Sequence, residues 1–298
     1  MKIPGWFICS LTAVTAALVV CHNAQAGDAP RKILFFSKSA GFQHDMIKEK
    51  NGQPSDAQKI LTELGQKNNF QFTFTKDGSV FTPENIAQYD AFFFYTTGDL
   101  TQPGTDKNPP MSQEGKAAFL EAIHNGKGFI GTHSATDTFH SHDDADPDPY
   151  IKMIGAEFII HGSQQKARQI VADKKFPGLS AVPDDFGPLE EWYSLKNFQP
   201  DLHVLLVQDT STMKRDAGGD RAGYDRPNYP STWARKYGKG RVFYTSMGHR
   251  LDVWTNPVFQ SVLLGGINWA VGNVKADVAP NLKQAAPEAS VLPPAPAK

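Results

Sequence analysis

The chain has 298 residues, 40% hydrophobic, 20% charged and 11% aromatic, which is enough apolar material for a sizeable core. Its formal net charge of -1 gives no global field that would favour nucleic acid or an anionic membrane. The absence of a basic run argues against nucleic acid in the same way.

The chain opens on a targeting pattern. Lys2 supplies a short positive region, Trp6 to Val20 is apolar with only small polar interruptions, and Ala24-Gln25-Ala26 offers small residues before a cut. A signal peptide over residues 1–26 and a secreted or periplasmic mature protein are expected. The apolar run is short for a span, so no stable membrane span should remain after processing. Lipidation at Cys21 is disfavoured because Val20 is bulkier than the residue that usually precedes a lipidated cysteine. Cys9 and Cys21 are the two cysteines, both inside the leader. The mature chain therefore lacks a disulfide, a thiolate nucleophile and a cysteine metal ligand.

Next come alternating elements. Lys32 to Phe36 reads as a buried strand. Ile60, Leu61 and Leu64 recur at helical spacing, Phe70 to Thr75 alternates like a strand at an edge, and Ala91 to Tyr95 is another buried strand. Ser112 opens a helix with Glu114 in its first turn, striped by Phe119, Leu120 and Ile123 and stopped at Gly126; Gly128 to Ile130 starts the following strand. Val204 to Val207 and Arg241 to Thr245 read as later strands, and Asn256 to Val271 as a closing helix. This rhythm predicts a mostly parallel sheet with helices on both faces. No linker divides residues 32 to 272. One domain over 27–272 is expected, followed by a flexible Pro/Ala-rich tail over 273–298.

In an open parallel sheet, ligands bind past the carboxyl ends of the strands. Four of the predicted strand ends carry polar side chains there: Ser37 to His44, Thr96-Thr97-Gly98-Asp99, Thr132 to Asp137, and Ser246 to Arg250. Three of these segments include a histidine, namely His44, His133 and His249. Asp99 could equally cap a turn, and Ser134 and Thr136 a helix. His140 and His142 border an acidic stretch that reads as a solvated loop. Glu190-Glu191-Trp192-Tyr193 pairs two carboxylates with aromatics, and carboxylates are costly to bury unless used. The turn Gly131-Thr132-His133-Ser134-Ala135 sits where a nucleophile elbow would sit. Its central residue is His133 rather than Ser or Cys, so acyl-enzyme chemistry is disfavoured and a glutamine amidotransferase is excluded.

Gly41-Phe42-Gln43-His44, Gly128 to Phe139 and Gly238 to His249, together with Tyr150, Gly155 to Phe158, His161 and Tyr229-Pro230 before Trp233, resemble the ThuA-like (trehalose utilization) family across residues 32 to 272. The resemblance implies a class I glutamine amidotransferase-like fold without its cysteine: a flavodoxin-like three-layer α/β/α sandwich with a mostly parallel central sheet. It also implies a link to trehalose and 3-keto-glycosides. The positions that match the family's polar motifs are His44, His133, Asp137, His161, Glu191, Tyr193 and His249. Glu190 stands where the family pattern has Asp, and Phe176-Pro177 where His-Pro is common.

The expected function is a carbohydrate-active enzyme, an isomerase, lyase or hydrolase, with a small-molecule carbohydrate as partner. Proton abstraction next to a ketone would use Glu191 as base and His44, His133 or His249 as acids or oxyanion donors. Thr97, Asp99, Asp137, Tyr193 and Trp233 are the expected substrate contacts. A divalent metal such as zinc is the alternative to those donors, with His133, His161 and His249 as ligands, although the spacing holds no compact metal motif. The competing reading is a non-catalytic sugar-binding protein in which Trp192, Tyr193, Trp233 and Trp254 stack on sugar faces. A transcription regulator is disfavoured by the export signal and the lack of a basic helix-turn-helix.

Overall fold

The computed structural model describes residues 29–105, 107–214 and 222–294. The expected leader lies outside the described residues. No helix among them is long and apolar enough to cross a membrane.

Strands β1 (Arg31–Phe36), β2 (Phe70–Thr75), β3 (Ala91–Phe94) and β4 (Gly128–Thr132) are the predicted parallel strands. Helices α1 (Asp56–Asn68), α2 (Pro83–Ile86) and α3 (Gln113–His124) connect them. Ser55 starts α1 with a reciprocal capping box to Gln58, and Ser112 starts α3 by accepting from the Gly115 N–H, as such residues do at a helix N-terminus. After α4 (Pro149–Ile154) come the shorter strands β5 (Glu157–His161), β6 (Gln165–Lys166), β7 (Gln169–Val171), β8 (Leu189–Glu190) and β9 (Tyr193–Lys196). The chain then forms β10 (His203–Gln208), β11 (Tyr229–Tyr237), β12 (Gly240–Thr245), α5 (Leu251–Trp254), α6 (Pro257–Ala270) and α7 (Leu282–Ala285).

The main sheet has eight strands in the order β2-β1-β3-β4-β12-β11-β10-β7. The run from β2 to β12 is parallel and the extension through β11, β10 and β7 is antiparallel. This is the α/β architecture read from the sequence, a mixed, mostly parallel sheet flanked by helices. β2 lies at the sheet edge, in keeping with its alternation. Two apolar clusters cover the two faces, one centred on Phe35, Phe93 and Phe243, the other on Phe36, Phe94 and Tyr244. Neighbouring residues of a strand point to opposite faces, so each buried strand serves both clusters.

Two features differ from expectation. β11 was not anticipated; seven of its nine residues are buried, so it carries no alternating signature. Residues 276–291 are also not a loose tail. Asn281 brackets β10 by accepting from the Val204 N–H at 2.6 Å and donating to the Val204 carbonyl at 3.0 Å. The Ala279 carbonyl accepts from His203 at 2.7 Å, the Ala289 carbonyl accepts from Arg226 at 2.7 Å, and Ala286 and Ala289 are buried. The segment docks through backbone groups and small side chains, which composition does not reveal.

Candidate functional site

The parallel strands deliver their carboxyl ends to one rim. Bridges between Ser39 and Thr97, and between Gly98 and Thr138, stitch the loops after β1, β3 and β4 together. His133 follows β4 directly with φ +45, a left-handed conformation that costs about 1–3 kcal/mol in a non-glycine residue and persists only when its surroundings enforce it. Here Tyr244 donates to the His133 carbonyl at 2.7 Å, and His133 Nδ1 donates to the Ser246 carbonyl at 3.1 Å. His249 follows Gly248, whose φ is +126 and whose Cβ, if present, would meet Thr132 Oγ1 at 2.6 Å. Glu190 clamps this turn: its Oε2 accepts from the Gly248 and His249 N–H groups at 2.8 and 3.2 Å, and its Oε1 from the Glu191 N–H at 2.9 Å. One buried carboxylate therefore sets the spacing between Glu191 and His249.

His44, His133, Glu191 and His249 each offer a ligand atom, all within 4.8 Å of one another. His133 Nε2 lies 3.2 Å from both His44 Nε2 and His249 Nδ1. Glu191 Oε2 lies 3.2 Å from His249, 3.4 Å from His133 and 3.9 Å from His44. Burial lowers His44 and pushes His133 down to about 3, outweighing the neighbouring carboxylate, so both are neutral imidazoles at ordinary pH. Glu191 shows the opposite balance. Burial works to raise it, but the surrounding imidazoles of His133, His249 and His44 win and hold it well below the usual carboxylate range. Burial likewise works to lower His249, and Glu191 outweighs it and raises it. Glu190 is raised by burial to about 7 despite its backbone donors.

Three members of the cluster, His44, Glu191 and His249, line a chamber of about 360 Å³ walled by Phe42, Phe158 and Tyr193 and also lined by Asp137, His161 and Gln164, with His133 fully buried beneath them. A second network backs Asp137. His140 Nε2 bonds Asp137 Oδ1 at 2.6 Å, and His140 Nδ1 faces Glu157 Oε1 at 3.2 Å. Hydrogen bonds to these two carboxylates raise His140 to about 9. Burial works to raise Glu157, but His140, Ser141 and Asn197 bring it down to about 2.

The family model described as trehalose utilisation, ThuA, matches residues 32–270. The chain belongs to the ThuA family. A ThuA-like protein from Bacteroides uniformis shares its fold at a TM-score of 0.64 and 20% identity, covering 85% of this chain and 97% of that one. A second, from Parabacteroides merdae, matches at 0.57 and 17%, covering 84% and 93%. A cytoplasmic protein from Salmonella typhimurium matches at 0.52 and 12%, covering 80% and 98%. No curated protein sequence matches the chain.

Of the positions picked out by the ThuA resemblance, His44, His133, Glu191 and His249 meet in the cluster, and Asp137, His161 and Tyr193 line the chamber around it. The expected ligand trio of His133, His161 and His249 is not the group that converges: His44 and Glu191 join His133 and His249, and His161 stands outside it. His161 instead reaches the other oxygen of Glu191, 3.4 Å from Oε1. Three expected substrate contacts lie elsewhere. Thr97 is buried and donates to the Phe42 carbonyl at 2.8 Å, so it shapes the rim from behind. Asp99 Oδ1 accepts from the Thr101 N–H and hydroxyl, the turn-capping role. Trp233 is in the core, donating to the Ile154 carbonyl and packed on Tyr244. Trp192 and Trp254 are likewise buried, with indole N–H groups on the Gln165 and Gly248 carbonyls, so neither offers a face to a sugar. Phe176, at the position of the family's His-Pro, packs on Trp269 in the core. Sequence reading missed Phe42, 67% exposed at the chamber, as well as Phe158, Gln164 and the bridging role of His140. The only available signal for Phe42 was its place beside His44 in the motif.

Proposed function

We propose that this ThuA protein is an exported carbohydrate-active enzyme that works by metal-assisted acid/base chemistry on a sugar or 3-keto-glycoside. The observation that carries the reading is the convergence of His44, His133, Glu191 and His249 within 4.8 Å, three of them lining a chamber with aromatic walls. Export rests on the signal pattern of residues 1–26.

The donor set suits a divalent cation such as zinc. With its hydrogen committed to the Ser246 carbonyl, the Nδ1 atom of His133 fixes the tautomer in which Nε2 presents a lone pair to the cluster, the usual arrangement of a ligating histidine. Burial keeps His44 and His133 neutral, as ligands must be. His44, His133, His249 and Glu191 would hold the ion. When bound, it would act as a Lewis acid toward a sugar oxygen.

The remaining chemistry falls to the chain itself. Glu191, so strongly stabilised as an anion, is a weak base, and the proton-handling role moves to Asp137 on another part of the chamber lining. His140 occupies Asp137 Oδ1, which leaves Oδ2 to take a proton from the carbon beside a ketone or to return one. Phe42 and Tyr193 orient the ring, and Tyr193 also supports His44, its hydroxyl 3.5 Å from Nε2. The test is elemental analysis of the purified protein together with a turnover screen of 3-keto-glycosides on wild type, His133→Ala and Asp137→Asn. Stoichiometric divalent metal and turnover lost in both variants support the reading. Metal-free protein that binds sugar without consuming it supports a non-catalytic binding protein instead.

A further inference from the structure

The chamber does not end at His249. Gln164 and His249 form a wall shared with a larger groove of about 640 Å³, bordered by Asp45, Lys50, Asp56, Arg250, Leu251 and Asp252. The groove is nearly twice the volume of the chamber and lies within the ordinary range for a small-molecule site, roughly 300–1,000 Å³. The chamber alone stands near the bottom of that range.

The lining of the groove is chemically specific. Most of its ions are matched locally: Arg250 is gripped by Asp252 through Nε at 2.8 Å and Nη2 at 3.2 Å, Asp45 pairs with Lys48 at 2.8 Å, and Asp56 with Lys59 at 3.2 Å. Matched ions present many hydrogen-bonding atoms with little net field, which suits a neutral hydroxylated ligand better than a phosphate or a sugar acid. Arg250 Nη1 also donates to Gln164 Oε1, and Gln164 Nε2 lies 3.0 Å from His249 Nε2. A polar ladder thus runs along the shared wall from the groove to the cluster. Among the described residues, Phe42 and Leu251 are two of the five exposed large apolar side chains, at 67% and 49%. One lines the chamber and the other the groove. A sugar ring needs this combination, an apolar surface for its C–H face and polar groups for its edge, and the molecule supplies it twice, side by side.

We propose that the groove is a second carbohydrate subsite, which takes the unit attached to the one that enters the chamber, with Gln164 at the junction. The ligand class is a neutral molecule of two linked sugar units, or a sugar carrying a hydroxylated group of similar size. The proposal rests on the carbohydrate reading given above.

The probes are trehalose and glucose, titrated calorimetrically into wild-type protein, Leu251→Ser, Lys50→Ala and Phe42→Ala, with melting temperatures as the folding control. Wild type should bind trehalose at least about tenfold more tightly than glucose, a factor worth 1.4 kcal/mol. Leu251→Ser and Lys50→Ala should each reduce that preference severalfold while leaving glucose affinity within about twofold. Phe42→Ala, in the chamber, should weaken both sugars. Folded groove variants with an unchanged trehalose-to-glucose ratio would overturn the subsite and leave the carbohydrate reading standing. Binding of neither sugar to wild type would overturn the carbohydrate reading and the subsite with it.

Discussion

Two histidine–carboxylate assemblies flank the same chamber and resolve their charges in opposite ways. In the cluster of His44, His133, His249 and Glu191, the imidazoles outnumber the carboxylate and two of them are buried. Desolvation decides there, keeping His44 and His133 neutral with nitrogens turned toward one point. In the Asp137–His140–Glu157 network the carboxylates outnumber the imidazole, and its side chain is 44% exposed. Hydrogen bonds decide there, and His140 is an imidazolium through neutral pH. The same residue types thus give a centre in which three imidazoles and one carboxylate turn toward one point, and a bridge whose charges are already satisfied. What separates them is stoichiometry and burial, and neither is visible from residue type alone.

The sharpest way to break this contrast is to remove the one anion of the cluster. Glu191→Gln, and separately His133→Ala, should lower zinc affinity by about 100-fold or more, since even an outer partner of a metal ligand is worth 10–100-fold. Calorimetric titration with zinc checks this, and circular dichroism confirms the fold. The corresponding change in the other network, His140→Gln, should leave zinc affinity within about threefold. Equal losses at both sites would erase the distinction.

The cluster was more legible in the sequence than the bridge, for a physical reason. His44, His133 and His249 each follow a strand whose hydrophobic run is plain, and the parallel-sheet rule gathers such ends on one rim. Glu191 was legible as one of two adjacent carboxylates among aromatics that need partners if buried. His140 gave no such signal because its second partner, Glu157, sits at the start of β5, and nothing local links them. Trp233 was misread because an indole suited to a sugar face is equally suited to a core. β11, buried nearly throughout, hid its period. The docked tail was missed because one side chain, Asn281, and otherwise backbone carbonyls and small buried residues hold it.

Strand β9 connects the two assemblies. It begins at Tyr193, two residues after Glu191, and leads into Asn197, which donates to Glu157 at 3.0 Å. Arg226 braces β9 through Ser194 and the Leu195 carbonyl, and its Nη2 donates to the tail's Ala289 carbonyl. Ending the chain at Gly272 therefore removes support from both assemblies at once. The variant should lose about 2–4 kcal/mol through broken hydrogen bonds and a buried guanidinium left short of a partner, lowering Tm by roughly 5–15 °C. A truncated protein that melts with the full-length chain would show the docking to be energetically idle.

A smaller effect separates the assemblies by pH. Because His140 rises from 6.5 to about 9 on folding, its contribution to stability is full below pH 6.5 and is lost as pH rises through about 9. His140→Gln should therefore melt below wild type at pH 6, with the gap closing by pH 9.5. Thermal melts across that window check the sign. A gap that is constant with pH would mean that His140 contributes packing and no charge, and the bridge would then differ from the cluster only in position.

The smallest expected effect is at Asp99, which shares the rim with both assemblies yet belongs to neither. Its Oδ1 accepts from the Thr101 N–H at 2.9 Å and the Thr101 hydroxyl at 2.7 Å, a local closure that keeps the carboxylate turned to its own loop. The contact between that loop and Asp137 runs instead through backbone, from the Gly98 N–H to the Asp137 carbonyl at 2.7 Å and from the Phe139 N–H to the Gly98 carbonyl at 3.2 Å. Asp99→Ala leaves those bonds in place. It should cost about 0.5–1 kcal/mol, as expected for one exposed side-chain-to-backbone closure, and leave trehalose and zinc affinities within about twofold. A tenfold loss of trehalose affinity in a protein that still melts normally would mean that Asp99 turns from its loop to meet the ligand, and the rim would then hold a third functional carboxylate beside Glu191 and Asp137.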